Sequence, residues 1–424
     1  MITAIILTFI IGYLAITLEH SIKINKAATA LVTGVVCWTI YILFQPDKHL
    51  VSEQLMEHLG EVSGILFFLL GAMTIVELID AHDGFQVITD RIKTKSAVRL
   101  LWIIAIITFF LSAVLDNLTT TIVIVSVLRK LIADKEQRLF FAGITIIAAN
   151  AGGAWSPLGD VTTTMLWIGG QITAVNIIKE LFIPSLICLI VPLILISFKM
   201  KGTVQAAEKD QKVIMTTPFE RSFVFLLGIG VLVFVPVFKT ITHLPPYMAI
   251  LLGLGVIWIV TELLHKQKVN QDKDTLTVVY ALQKIDTPSI LFFLGILISI
   301  GALQSTGQLT LLAGWLTNTF QNDTIIVTLI GLLSAIVDNV PLVAASQGMY
   351  PLSQYPTDHF FWEFLAYATG TGGSALIIGS AAGVAAMGME KISFFWYLKR
   401  ISWLALIGYF AGIVVYLFQH SLMH

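Results

Sequence analysis

The sequence predicts an all-α polytopic membrane protein made of two inverted repeats. Three observations predict it. The chain has 424 residues, of which 57% are hydrophobic and only 12% charged, whereas soluble domains carry about 25% charged residues. A chain so long and apolar reads as one that crosses a bilayer many times. Two stretches, LSAVLDN from Leu111 and LSAIVDN from Leu333, differ only by swaps among Val, Leu and Ile. Basic residues fall almost wholly on one side once the spans are drawn.

A spanning helix needs about 20 apolar residues. Full crossings are expected near 2–18, 27–44, 62–80, 139–170, 176–198, 222–239, 246–263, 287–304, 360–388 and 395–419. The first has no basic lead-in and no small-residue cleavage site, so it reads as a retained helix rather than a signal peptide. Segments 100–128 and 325–349 are also apolar and carry the repeated motif. Segment 100–128 is flanked by Arg91, Lys93, Lys95 and Arg99 before it and by Arg129, Lys130, Lys135 and Arg138 after it. A single crossing would put one cluster outside, against the positive-inside rule. A re-entrant hairpin returns both ends to the cytoplasm. Segment 325–349 mirrors it, because no Lys or Arg lies between Gln304 and Lys391. Ten crossings and two hairpins place both termini outside and 22 of the 25 basic residues inside, leaving only Lys48, Lys179 and Lys239 outside.

The repetition extends beyond seven residues. ILFFL at 65–69 recurs at 290–294, upstream of each hairpin. Downstream, NAGGAWSPLGDVTTTM (150–165) aligns with GTGGSALIIGSAAGVAAM (370–387), matching Gly152-Gly153 with Gly372-Gly373 and Gly159 with Gly379. The first repeat is expected over 1–200, with hairpin 100–128 and broken helix 139–170. A polar cytoplasmic linker follows at 201–221, and the second repeat covers 222–424, with hairpin 325–349 and broken helix 360–388. Each half has five crossings, an odd number, so the second enters upside down. Inverted repeats with interrupted helices are the build of many secondary transporters, whose site lies between the repeats near the midplane. Close helix packing explains an isolated Gly pair equally well. Gly152, Gly153, Pro157 and Gly159 within eight residues break a helix. Broken backbone at that depth survives only buried in protein or lining a wet cavity.

Asp116 and Asp338 are expected at the hairpin tips and Asp160 just past the first helix break. An intramembrane carboxylate costs about 2.5–3.5 kcal/mol on insertion scales. Each acid alone could merely cap a half-helix or pair with a neighbour; three on inward features point to use. Asn117, Asn150, Thr162, Thr163, Thr164, Ser334, Asn339 and Ser374 supply neutral oxygens nearby in sequence. Hard cations such as sodium take such oxygens together with freed backbone carbonyls. The Thr runs 119–121 and 162–164 are also explained by back-bonding to the helix. No basic companion is evident in these segments, so the site should suit a cation, placed at Asp116, Asp160 and Asp338, and serve an anion poorly. Protons and sodium would then compete for the same oxygens, which suffices for antiport.

The remaining features are bland. The net charge of −1 points to no nucleic-acid partner. Cys37 and Cys188 fall in apolar runs and read as small apolar residues. Glu77, Asp80 and Glu262 read as wet helix ends, and His82 and His265 as solvated loop histidines with a pH-sensing role as the alternative.

The paired SA-hydrophobic-hydrophobic-DN hairpins and NAGGAWSPLGDVTTT resemble the NhaD-type sodium/proton antiporters of the ion transporter superfamily, over nearly the whole chain. The resemblance implies export of Na+ and Li+ in exchange for H+ across a bacterial inner membrane, in which the outward termini of the crossing count would be periplasmic. It implies a homodimer in the lipid bilayer, with a scaffold and a moving, elevator-type transport block, no cofactor and no soluble organic substrate. The family's polar transport residues map to Asp116, Asn117, Asn150, Asp160, Thr162 and Thr163, and in the second half to Ser334, Asp338, Asn339 and Ser374. Ser380 stands where the first half has Asp160, so the halves are not equivalent. Arsenite and dicarboxylate transporters of the same superfamily are the alternatives; Asp rather than a Ser-Asn-Thr pattern at both tips favours a cation. An intramembrane aspartyl protease is a remote alternative, since PLGD (157–160) lacks the first glycine of a Gly-x-Gly-Asp signature.

Overall fold

The computed structural model describes every residue except 90–91, 93, 199, 201, 205–215, 267–274 and 424. Most of the expected linker 201–221 therefore lies outside the described residues. The first half contains α1 (Ile2–Thr17), α2 (Lys26–Phe44), α3 (Lys48–Ala81), α4 (Ala97–Leu115), α5 (Asn117–Leu131), α6 (Lys135–Ala154), α7 (Val161–Ile168) and α8 (Ala174–Ser197). The second contains α9 (Pro218–Thr242), α10 (Pro246–Leu264), α11 (Thr287–Ser305), α12 (Gln308–Phe320), α13 (Asp323–Leu333), α14 (Asn339–Met349), α15 (Phe360–Gly372), α16 (Ala381–Glu390) and α17 (Ser402–Met423).

Polar residues at the apolar boundaries start these helices. Asn25, Asp47, Ser96, Asp134 and Asp286 each accept a backbone N–H from the first turn of α2, α3, α4, α6 and α11, answering donors a helix start leaves open. Thr217 and Glu220 form a reciprocal capping box on α9. Among the described residues eight helices are long and apolar enough to cross a membrane. Seven of them, α2, α3, α8, α9, α10, α11 and α17, coincide with expected crossings, and the eighth is hairpin arm α4. The shorter α1 and the interrupted pairs α6/α7 and α15/α16 lie where the other three crossings were expected.

Two expectations need correction. The third crossing, expected from residue 62, belongs to a 34-residue helix that starts at Lys48. The stretch between the crossing at 287–304 and the second hairpin carries α12, a 13-residue helix exposing Leu311 and Trp315.

Packing sorts the helices into two groups. Helix α2 lies along α11, and α3 along α10, so each half's second long helix meets the other half's third. Helices α1 and α9 join this group. In the other group α4 packs on α6 and α13 on α15, while α5 packs on α16 and α14 on α7. Helices α8 and α17 pack on each other and back this second group. The matched glycines make the approach possible. A Cβ on Gly152 would meet the Phe109 carbonyl, and one on Gly372 the Gly331 carbonyl, two equivalent places 220 residues apart.

The ends of the groups are tied by buried polar groups. Glu390, at the end of α16, accepts from Arg129 Nε at 2.6 Å and Arg138 Nε at 2.8 Å. His82 and His265 correct the loop expectation: both are buried, with Nε2 atoms 2.8 Å apart and rings stacked, and His265 Nδ1 lies 3.6 Å from Glu220.

Candidate cation site between the hairpin tips and the broken helices

The first hairpin turns on a single residue. Asp116 joins α4 to α5 at φ 79°, ψ 160°, a region that is nearly glycine's alone and costs about 1–3 kcal/mol for other residues. Its side chain answers part of that strain by capping α5, accepting from Thr119 N and Thr119 Oγ1 at 2.8 Å each. The second tip is looser: residues 334–338 separate α13 from α14, and Asp338 Oδ1 accepts from Val340 N at 3.3 Å.

Each broken helix restarts on a cap. Asp160 caps α7, accepting from Thr162 N at 2.9 Å, and Ser380 caps α16, accepting from Gly383 N at 3.2 Å. The interrupted backbone at 155–160 is satisfied locally. Leu158 N donates to Ser156 Oγ at 3.3 Å and Thr164 Oγ1 to Pro157 O at 2.8 Å, as polar backbone away from water requires.

These pieces converge on Asp160, which is 2% exposed. Asn117 Nδ2 donates to its Oδ2 at 2.6 Å, Asn339 Nδ2 donates to the same oxygen at 3.3 Å, and Thr162 Oγ1 donates to Oδ1 at 2.8 Å. Thr163 Oγ1 donates to the Asp160 backbone carbonyl at 2.9 Å. Asn117 also donates to Asn150 Oδ1 at 3.0 Å, and Asn150 Nδ2 donates to Ser374 Oγ and Ser380 Oγ at 2.9 Å each. The result is one buried network drawing on both hairpins and both broken helices.

The sequence-expected residues divide within this frame. Asp160, Asn117, Asn339, Asn150, Thr162, Thr163 and Ser374 meet in the network. Ser334 does not reach Asp160; its hydroxyl is shared between Gly331 O at 2.7 Å on its own hairpin and Thr369 O at 3.2 Å on α15. The three aspartates do not form one three-carboxylate cage: among the described residues no three His, Cys, Asp or Glu side chains gather where a metal could sit. At each tip the Asn turns toward Asp160 while its Asp neighbour caps its own helix. The expected lack of a basic companion is overturned, because Lys26 Nζ lies 3.3 Å from Asp338 Oδ2. Three residues not counted among the site candidates matter here. Ser380 joins the network, and its only signal was its alignment with Asp160. Thr120 and Thr121 do not back-bond: their buried hydroxyls have no hydrogen-bond partner among the described residues.

Residues 5–372 match the family model described as CitMHS, citrate transporter. The chain is 50% identical over 99% of its length to "Sodium/proton antiporter 1" of Arabidopsis thaliana, of which it covers 73%. It is 48% identical over 98% of its length to "Sodium/proton antiporter 2" of that plant, covering 99% of it. It is 30% identical over 98% of its length to "Na(+)/H(+) antiporter NhaD" of Vibrio cholerae, covering 91%. The chain belongs to this transporter family, among the NhaD-type sodium/proton antiporters. NhaD-type antiporters are multi-pass membrane transporters rather than enzymes, which removes the protease alternative.

Proposed function

We propose that the chain is a secondary transporter exchanging Na+, and Li+, for H+, with one buried site at Asp160 that either ion can occupy but not both. The observation that carries this reading is the Asp160 setting. A nearly unexposed carboxylate is held by neutral donors from both halves, and among the described residues no Lys or Arg reaches it. A buried carboxylate without a counter-ion, held by amide N–H and hydroxyl donors, carries an uncompensated negative charge that suits a small hard cation or a proton. The family model carries a citrate description; an acid at the centre of the site disfavours an anionic solute.

The two packing groups give the proposed working parts. Helices α1, α2, α3, α9, α10 and α11 form the scaffold, and hairpins, broken helices, α8 and α17 form the block that carries the site. We read the halves as inverted repeats, the block as an elevator, and the protein as a homodimer, with both termini on the face opposite the Lys-rich loops and, in a bacterium, facing the periplasm. Alkali-cation pulses on proteoliposomes holding a pH dye test the exchange. Sodium and lithium should move protons, and citrate and arsenite should not. Citrate or arsenite accumulation without cation-driven proton movement would replace this reading with the corresponding alternative.

A further inference from the structure

The pair formed by Lys26 and Asp338 joins the two groups at one end of the site. Lys26 opens scaffold helix α2, and Asp338 is the tip residue of hairpin two. Nζ and Oδ2 are 3.3 Å apart, with the side chains 23% and 17% exposed. The ammonium also lies 4.3 Å from the centre of the Phe292 ring on α11, a cation–π geometry. The Asp338 carboxylate also accepts from Val340 N at 3.3 Å.

The opposite end of α11 borders a cavity of about 390 Å³. It is lined by His58, Glu61 and Gln304 from the scaffold side and by Met165, Gln171 and Gln347 from the site block. Phe292 and Gln304 are twelve residues apart on α11, so pair and cavity are separated by about 18 Å along that helix. The network around Asp160 lies between them: Asn339, which follows Asp338, reaches Asp160, and Met165 lies one helical turn beyond Thr162.

We propose that Lys26 is a positioning residue that latches hairpin two to α2 through Asp338. The latch closes the Lys26 end of the site while the far end stands open to the cavity, and it must release before an ion can leave past Lys26. This inference rests on the transport reading above. It adds a residue, 312 positions from its partner, that the transport constellation does not contain. A scaffold-to-block contact that persisted through turnover would hold the block still, so the pair belongs to one state only.

The test reads the state rather than the rate. Cys37 and Cys188, both buried, are replaced, and Val340→Cys, at a position 2% exposed beside the pair, is labelled in proteoliposomes with an impermeant maleimide applied from the Lys26 face. Lys26→Gln should speed labelling about fivefold, the population shift that ~1 kcal/mol of partly exposed ion pair supplies. Lys26→Arg should stay within about twofold of the parent, and Asp338→Asn should match Lys26→Gln. The double variant should add nothing further, as one shared interaction requires. Unchanged labelling in both Lys26→Gln and Asp338→Asn would overturn the latch; if Lys26→Gln does not insert, Asp338→Asn and Lys26→Arg decide it. Absence of sodium-driven proton movement in the unsubstituted chain would instead sink the transport reading, so the two failures are separable.

Discussion

Asp160 concentrates the chemistry because every donor it receives is uncharged. Removing its charge removes what a cation binds, so Asp160→Asn should lower sodium-driven proton movement in vesicles at least tenfold while the protein still inserts. Asn339→Ala should weaken it less, since its 3.3 Å bond is the longer of the two amide contacts; equal rates for parent and Asp160→Asn would refute the assignment. At this scale the sequence was informative about residue type but not orientation. Asp-Asn repeated in an apolar run marked both tips correctly. Which member of each pair turns toward Asp160 depends on the 116 backbone at φ 79° and on capping geometry, and neither leaves a mark in composition. Lys26 was invisible for another reason: it reads as a loop charge until the fold brings it beside Asp338.

Elements sit where they do because small residues let backbones touch. Gly152→Ala and Gly372→Ala each place a methyl against a carbonyl of a hairpin arm. Each should cost about 1–3 kcal/mol, read as a lower unfolding temperature in detergent, whereas Gly60→Ala, with open space around it, should change little. The tie at the end of α16 makes a graded prediction. Arg138 is 19% exposed and Arg129 48%, so Arg138→Met should destabilise by about 2 kcal/mol and Arg129→Met by less; the reverse order would show that exposure does not govern the pair. The helix breaks at 155–160 and 373–380 were legible from glycine density, with Pro157 adding to the first. Helix α12 was missed because 13 residues fall below a spanning length. The His82–His265 contact was missed because it joins residues 183 apart at the ends of α3 and α10.

The molecule as a whole packs as two groups of helices, one of which holds the Asp160 network. The repetition of ILFFL, DN and the paired glycines was visible in the sequence, and the reciprocal packing of α2 on α11 and α3 on α10 fits the inverted relation proposed for the halves. The unequal ends of the site, Asp160 against Ser380, were visible as well and leave a single central carboxylate. One site shared by two ions has a kinetic signature. The most direct measurement is the apparent Km for sodium in proteoliposomes as a function of pH. Wherever the site is mostly protonated, the account requires Km to rise about tenfold for each unit of acidification with the maximal rate held constant. A Km independent of pH, with only the maximal rate changing, would mean that sodium and protons bind in separate places.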